Sequence, residues 1–429
     1  MHETSSPLTE PVNDLVIIGL GYVGLPLAAT ASKAGIRVTG LDRSQDVVDR
    51  LNAGRSHVDD IADEDIQQMQ ERGFAATIDP SVIGSAQVVV ICVPTPLSKD
   101  GSPDLAAVIA STRTIGANLR RGTLVVLEST TYPGTTEDEV RPILEANGFR
   151  AGEDFYLAFS PERVDPGNKN YDIKNTPKVV GGSTPACSER ATRFYAQFVD
   201  RVVTAKGTRE AETAKLLENT YRHINIALVN EMAKVCHELD IDLWDVIRCA
   251  STKPFGFQAF YPGPGVGGHC IPIDPNYLSY AIRSRLGYPL RFVELAQEIN
   301  ATMPGYVARR VQDLLNEASK SAQGSKILLV GVTYKANIAD QRESPADAVA
   351  AHLLALNAEV WYHDPYVPEW TLASGPVPKV SDLHGDGLHF DAAVILQHHD
   401  NLEIDRVTKL SDCVLDTRGA TDSAGVQRL

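Results

Sequence analysis

Leu15-Val16-Ile17-Ile18-Gly19-Leu20-Gly21-Tyr22-Val23-Gly24 decides the fold of this chain. Four apolar, mostly β-branched residues bounded by glycine read as a strand covered on both faces. G-x-G-x-x-G follows directly and opens a helix that runs to about Ala34. Gly19 permits the tight turn, Gly21 lets a pyrophosphate approach the backbone, and Gly24 packs helix on strand. The pyrophosphate would sit on the helix N-terminus, where unpaired N–H groups and the dipole favour anions. Tyr22, inside the fingerprint, is expected at the cofactor as well, and Val23 lies beside it. Asp42 lies 18 residues beyond Gly24, at the end of the next strand, Arg37–Asp42. It suits the ribose 2′-OH of NAD and repels the 2′-phosphate of NADP; Arg43 beside it pulls the other way. A glycine turn with no cofactor is the plain alternative, and the strand, the helix and Asp42 together weigh against it.

Working outward, further strands are expected at 87–93, 123–128 and 155–159, with helices between them. Such alternation indicates βαβ units and a parallel sheet. From Thr208 to Leu239 the rhythm changes to one long helical run without Gly or Pro. Leu216, Leu217, Ile224, Leu228, Met232 and Val235 recur along it at helical spacing. More helix is expected near 242–250 and 289–315, and the polar stretch Glu317–Ser325 reads as a linker. Lys326–Gly331 restarts the α/β pattern. A helix near 345–357, the strand Ala358–Asp364, and strands near Ala392–Leu396 and Cys413–Asp416 follow. The expected fold is α/β: two Rossmann-like doubly wound lobes joined by a central helical domain with one long helix. Residues 1–13 would be a disordered tail, 14–206 the NAD-binding lobe, 207–316 the central helical domain and 317–429 the second Rossmann-like lobe.

The bulk numbers narrow the classes. A chain of 429 residues is too long for one core. A net charge of −15 argues against non-specific binding to nucleic acid or to an anionic membrane surface. Cys92, Cys187, Cys236, Cys249, Cys270 and Cys413 are scattered with no C-x-x-C pair, so neither a metal site nor a disulfide framework is suggested. The polar N-terminus has no apolar signal-peptide core, and no apolar run approaches the about 18 residues of a membrane span. These features fit a cytoplasmic enzyme.

The chemistry centres on Gly263-Pro264-Gly265-Val266-Gly267-Gly268-His269-Cys270-Ile271-Pro272-Ile273-Asp274-Pro275. Glycines allow close approach to a ligand, so this loop could present the Cys270 thiol to a substrate. A tight turn with a bystander cysteine is the bland reading. A thiol beside a nicotinamide suggests a four-electron route: alcohol to aldehyde, thiohemiacetal to thioester, then hydrolysis. That route needs a nucleophile, an oxyanion stabiliser and a carboxylate that handles protons. Lys215 and Asn219 share a helix face and could meet one oxygen; alone they read as a solvated polar face. Glu162 follows a strand, Asp274 lies four residues past the cysteine, and Thr130 ends Glu128-Ser129-Thr130. His269 reads as packing, His398-His399-Asp400 as surface polarity, and Trp244, Trp361 and Trp370 as packing residues.

Taken together, the motifs resemble those of the UDP-glucose/GDP-mannose dehydrogenase family, the four-electron nucleotide-sugar 6-dehydrogenases. The likeness rests on the glycine fingerprint, Val93-Pro94-Thr95-Pro96, Glu128-Ser129-Thr130 with Pro133-Gly134-Thr135, and Ser160-Pro161-Glu162-Arg163. It continues in Lys215 with Asn219-Thr220, the Gly-Gly-His-Cys segment, Gly331-Val332-Thr333-Tyr334-Lys335 and Arg342-Glu343-Ser344-Pro345. The resemblance implies Cys270 as nucleophile, Lys215 and Asn219 as oxyanion stabilisers, Asp274 and Thr130 at the catalytic water, and Glu162 in thioester hydrolysis. It implies that Val23, Asp42, Thr95, Thr130 and Arg342 contact NAD. Glu162, Arg163, Lys215, Asn219, Phe260, Tyr261, Gly263, Gly267 and Lys335 would hold the nucleotide sugar, and the long helix would form a homodimer core. The chain departs from the UDP-glucose type at Ile273 and Pro166, where that type often has lysine and glutamate. Its versions are similar to the UDP-N-acetylglucosamine and N-acetylmannosamine branch. The substrate would therefore be a UDP-N-acetylhexosamine, ahead of UDP- or TDP-glucose. Two other classes stay open: a two-electron NAD-dependent hydroxy-acid or sugar-acid dehydrogenase with an incidental Cys270, and a non-catalytic NAD or nucleotide-sugar sensor.

Overall fold

A computed structural model of the chain describes residues 12–58, 60–98, 101–163, 168, 170–268 and 271–429. Cys270, His269 and Pro166 lie outside the described residues, as does nearly all of the 1–13 segment. The chain gathers into two compact units. One runs to Glu218 and takes in Asn276–Tyr288; the other comprises Asn219–Pro275 and Pro289–Leu429.

The first unit is built, in chain order, from β1 (Asp14–Ile18), α1 (Gly24–Lys33), β2 (Arg37–Leu41), α2 (Gln45–Asn52), α3 (Asp63–Glu71), β3 (Ala75–Thr77), β4 (Val88–Ile91), α4 (Ala106–Asn118), β5 (Leu124–Leu127), α5 (Arg141–Glu145), β6 (Tyr156–Phe159), β7 (Lys178–Gly182), α6 (Pro185–Tyr195) and β8 (Val202–Thr204). Its sheet has the order β3-β2-β1-β4-β5-β6-β7-β8. Every pairing is parallel except β6 with β7. The β-branched runs are buried on both faces because side chains alternate across a strand. Leu15 and Ile17 enter one core, Val16 and Ile18 the other. Strand order reverses between β1 and β4, the switch point where doubly wound sheets bind ligands.

Four helices follow: α7 (Thr208–Glu238), α8 (Leu243–Ala250), α9 (Asp274–Leu286) and α10 (Arg291–Glu317). The division between the units falls inside α7, after Glu218. The sequence reading has no counterpart to α9. Asp274-Pro275 is nevertheless a helix start, with proline fixing φ where its missing N–H costs nothing.

In the second unit, β9 (Lys326–Val330), α11 (Pro345–Ala355), β10 (Glu359–His363), β11 (Thr371–Leu372), β12 (Gly375–Pro376), β13 (Phe390–Ile395), α12 (Ile404–Lys409), β14 (Ser411–Asp416) and β15 (Val426–Arg428) follow. The main sheet, β10-β9-β13-β14-β15, is parallel throughout. Ile327 and Leu329 point into one core, Leu328 and Val330 into the other. Two expectations change here. The polar stretch after α10 is pinned rather than loose: Lys320 pairs with Asp391 and Asp412, and Ala322 is buried. His399 is not surface polarity. His398 and Asp400 are exposed, but His399 is wholly buried, 3.0 Å from Asp364 Oδ2 and accepting the Asn337 N–H at 2.8 Å. Alternation along the chain turns one of three polar neighbours inward. Among the described residues, no helix is long and apolar enough to cross a membrane.

Candidate functional site

In the first unit the motifs gather at the carboxyl ends of parallel strands. Gly19 has φ +90°, and a Cβ there would come 2.6 Å from the Cys92 carbonyl oxygen. A Cβ on Gly24 would come 1.9 Å from Gly19 O, so this glycine seats α1 against the turn. A Cβ on Gly21 would meet nothing within 4 Å. Backbone crowding thus explains the outer two glycines, while the middle one borders open space. No side chain caps α1, and its first turn holds no acidic residue, which fits an anion at that end. Asp42 Oδ2 accepts the Leu20 N–H at 3.0 Å and Oδ1 accepts that of Ser44 at 2.9 Å. Tyr22 and Arg43 are exposed and Val23 is half-buried. Thr95 follows β4, and its carbonyl accepts the Tyr277 hydroxyl at 2.8 Å.

Thr130 lies beyond β5, where Lys215 from α7 donates to its Oγ1 at 2.5 Å. Arg163 forks onto Glu218 at 2.8 and 3.1 Å and donates to the Pro177 carbonyl at 2.6 Å. Behind them lies a buried polar cluster. Lys178 Nζ is 2.9 Å from Glu128 Oε2 and 3.9 Å from Glu162 Oε2, and Tyr195 donates its hydroxyl to Glu128. Burial alone would lower the Lys178 pKa, but the Glu128 and Glu162 carboxylates outweigh it and hold it above the usual lysine value. Burial pushes the nearby Cys92 thiol well up, so it stays protonated and inert. On α7, Glu212 is fully buried and accepts from Gly134 N at 2.5 Å, Thr136 N at 2.9 Å and Thr136 Oγ1 at 2.7 Å. Burial raises its pKa to about 7 despite those donors.

In the second unit Asn219 donates to Asp274 Oδ2 at 2.5 Å, and Asp274 is buried. The glycine loop lies against both C-terminal motifs. A Cβ on Gly267 would come 2.6 Å from Glu343 O and 2.8 Å from Tyr334 Cβ, and one on Gly268 2.7 Å from the Tyr334 ring. Gly263 donates its N–H to Asn230 Oδ1 at 2.9 Å, and Asn230 in turn donates to Asn300 at 2.9 Å. Phe260 meets Tyr221 edge-on at 5.7 Å between ring centres, and Tyr261 stacks on Trp244 at 5.6 Å. Lys335 is half-buried. Arg342 forks onto Asp340.

The structure therefore brings together Thr130 with Lys215, Asn219 with Asp274, and the glycine loop with the segments of Lys335 and Arg342. Sequence reasoning missed four residues. Lys178 and Glu212 have no local signal, being ordinary positions on a strand and a helix. Asn230 looks like a solvated helix residue. Arg418 follows β14, with its Nη1 2.9 Å from where a Gly263 Cβ would stand; a cation just past a strand end could have drawn notice.

Three family models match in order along the chain. The NAD binding domain of the UDP-glucose/GDP-mannose dehydrogenase family covers 13–199, its central domain 209–302 and its UDP binding domain 328–423. A UDP-N-acetyl-D-glucosamine 6-dehydrogenase of Pseudomonas aeruginosa is 34% identical over 355 residues, 82% of this chain and 83% of that protein. A UDP-N-acetyl-D-mannosamine dehydrogenase of Salmonella typhi is 38% identical over 347 residues, 78% of this chain and 81% of that protein. Among solved structures, a UDP-D-ManNAc dehydrogenase from Pyrococcus horikoshii superposes with a TM-score of 0.86 at 31% identity, covering 96% of this chain and 98% of its own.

Proposed function

Because this chain belongs to the UDP-glucose/GDP-mannose dehydrogenase family of NAD-dependent oxidoreductases, we propose that it oxidises the C6 hydroxyl of a UDP-N-acetylhexosamine to a carboxylate with two NAD. The observation that supports this is that four residues singled out in the sequence meet in pairs, Lys215 with Thr130 and Asn219 with Asp274. The N-acetylhexosamine choice is supported by the names of the relatives and by Ile273 and Pro166, which depart from the UDP-glucose type.

NAD supplies hydride acceptance when bound. Gly19, Gly21, Gly24 and the uncapped end of α1 would hold its pyrophosphate, and Asp42 its ribose. In this scheme Cys270 adds to the aldehyde and carries the thiohemiacetal and thioester. Lys215 and Asn219 stabilise the oxyanion. Glu162, Asp274 and Thr130 position water and take its proton. Lys335, Arg163, Arg418 and the aromatic pair Phe260 and Tyr261 belong to the nucleotide-sugar site. The working domains are 14–206, 207–316 and 317–429. The exposed row Tyr221, Leu228, Met232, Val235 and Leu239 on and just past α7 supports a homodimer through that helix.

The test is stoichiometry across UDP-GlcNAc, UDP-ManNAc, UDP-glucose and TDP-glucose. Two NADH and an acid per sugar are expected, fastest with an N-acetylhexosamine. One NADH with a ketone or aldehyde sinks the four-electron scheme, and Cys270→Ser that still makes acid at the normal rate removes the nucleophile.

A further inference from the structure

The one antiparallel pairing in the first sheet has a chemical result. β6 and β7 align Ala158 with Gly182 and Phe159 with Gly181. Carried three residues past the last pair, that register sets Glu162 opposite Lys178, and the two lie 3.9 Å apart. A parallel β7 would have placed its first residue at the other end of the sheet. Lys178 is anchored from behind. Glu128, at the end of β5, holds it at 2.9 Å, and Tyr195 from α6 bonds Glu128 and lies under the ammonium, 5.2 Å from ring centre to Nζ. The Glu128 and Lys178 side chains are 0% and 6% exposed, and that of Glu162 is 13%.

We propose that Lys178 is a positioning residue for the proposed reaction, clamped by Glu128 and Tyr195 so as to orient the Glu162 carboxylate for thioester hydrolysis. The inference rests on the four-electron scheme. Glu128 alone neutralises the buried Lys178 charge at 2.9 Å, so the longer contact to Glu162, nearer the surface, acts to steer that carboxylate. A buried ion pair is also a poor stabiliser compared with apolar residues of the same volume, so stability alone is a weak reason for the cluster. In the step served, a water oxygen bonds to the acyl carbon and its proton passes to Glu162. The C–S bond breaks with its electron pair on sulfur, and the acid departs. Nothing is oxidised or reduced.

The experiment uses full-length enzyme with NAD and the preferred nucleotide sugar, reading the pre-steady-state NADH burst separately from steady-state turnover. Lys178→Met is expected to keep the burst of two NADH per site and the KM within about twofold, while turnover falls about tenfold or more. Because that change strands Glu128 in the interior, Lys178→Met with Glu128→Gln is measured beside it and should behave the same way. Lys178→Arg should restore turnover to within about threefold. A double variant with wild-type turnover, or burst and turnover falling together, overturns the role of Lys178 alone. One NADH per sugar in the wild type overturns the scheme and this role with it.

Discussion

The Asp42 carboxylate accepts the Leu20 amide at 3.0 Å, so the end of β2 is tied to the glycine turn that ends β1. The acid that would read a ribose is thereby aimed by the turn that would hold the pyrophosphate. Pre-set geometry of this kind lowers the ordering cost of binding.

Asp42→Ala should weaken NAD about tenfold, since a carboxylate–hydroxyl bond contributes on the order of 1.5–3 kcal/mol and part returns through water. Fluorescence titration of NAD checks it, and an unchanged Kd contradicts the ribose role.

The three fingerprint glycines should separate by phenotype. Gly24→Ala drives a methyl into Gly19 O and should lower Tm by several degrees even without cofactor. Gly21→Ala meets no protein atom. It should leave the cofactor-free Tm within about a degree, yet weaken NAD binding about tenfold or more. Thermal scans with and without NAD decide; a Gly21→Ala protein that binds NAD normally removes Gly21 from the site.

Glu212 has a pH signature. Its folded pKa is about 7 against an ordinary 4.5, so the folded state binds this proton more tightly. Its stabilising contribution is complete below pH 4.5 and is lost as pH rises through 7, on the order of 3 kcal/mol in all. Tm should therefore fall more steeply between pH 5 and 8 in the wild type than in Glu212→Gln. Parallel Tm curves would refute the assignment.

His223 gives the opposite slope. It is buried in α7, and burial lowers its pKa to about 4 from 6.5. The unfolded chain takes up this proton first, so stability is lost as pH falls from 6.5 through 4. His223→Gln should flatten the acid side of the Tm curve while leaving pH 8 little changed beyond a constant offset; calorimetry at both pH values checks it.

Leu228→Asp should yield a monomer, because it places a charge within the exposed apolar row of α7. Analytical ultracentrifugation of both proteins reads the outcome, and a variant that sediments like the wild type rules the row out as the interface of the proposed homodimer.

Much of the fold can be read from the sequence because its cause is local. β1, β4, β5 and β9 are short apolar runs ending at glycines or polar turns, and α7 is long and unbroken. Asp42 stands beside the fingerprint for the same reason, since the two lie one βαβ unit apart, but its bond to the Leu20 amide is not written in the sequence. Lys178, Glu212 and Arg418 are not legible. Each acquires its neighbours through strand order or helix placement, and no spacing along the chain encodes that 178 stands opposite 162. α9 was hidden by composition: its start lies inside a glycine- and proline-rich stretch, and the Asp-Pro pair is easily read as more loop. His399 shows the limit of hydropathy, because two carboxylate and amide partners make an imidazole interior.

Pro304 sits inside α10, buried beside Gly265, where a Cβ would approach its ring at 3.7 Å and the Asn300 carbonyl oxygen at 3.6 Å. Proline has no N–H, so Asn300 loses its usual rung on the helical ladder at that level. An engineer who replaced this proline to restore the missing rung would be editing the wall on which the glycine segment rests.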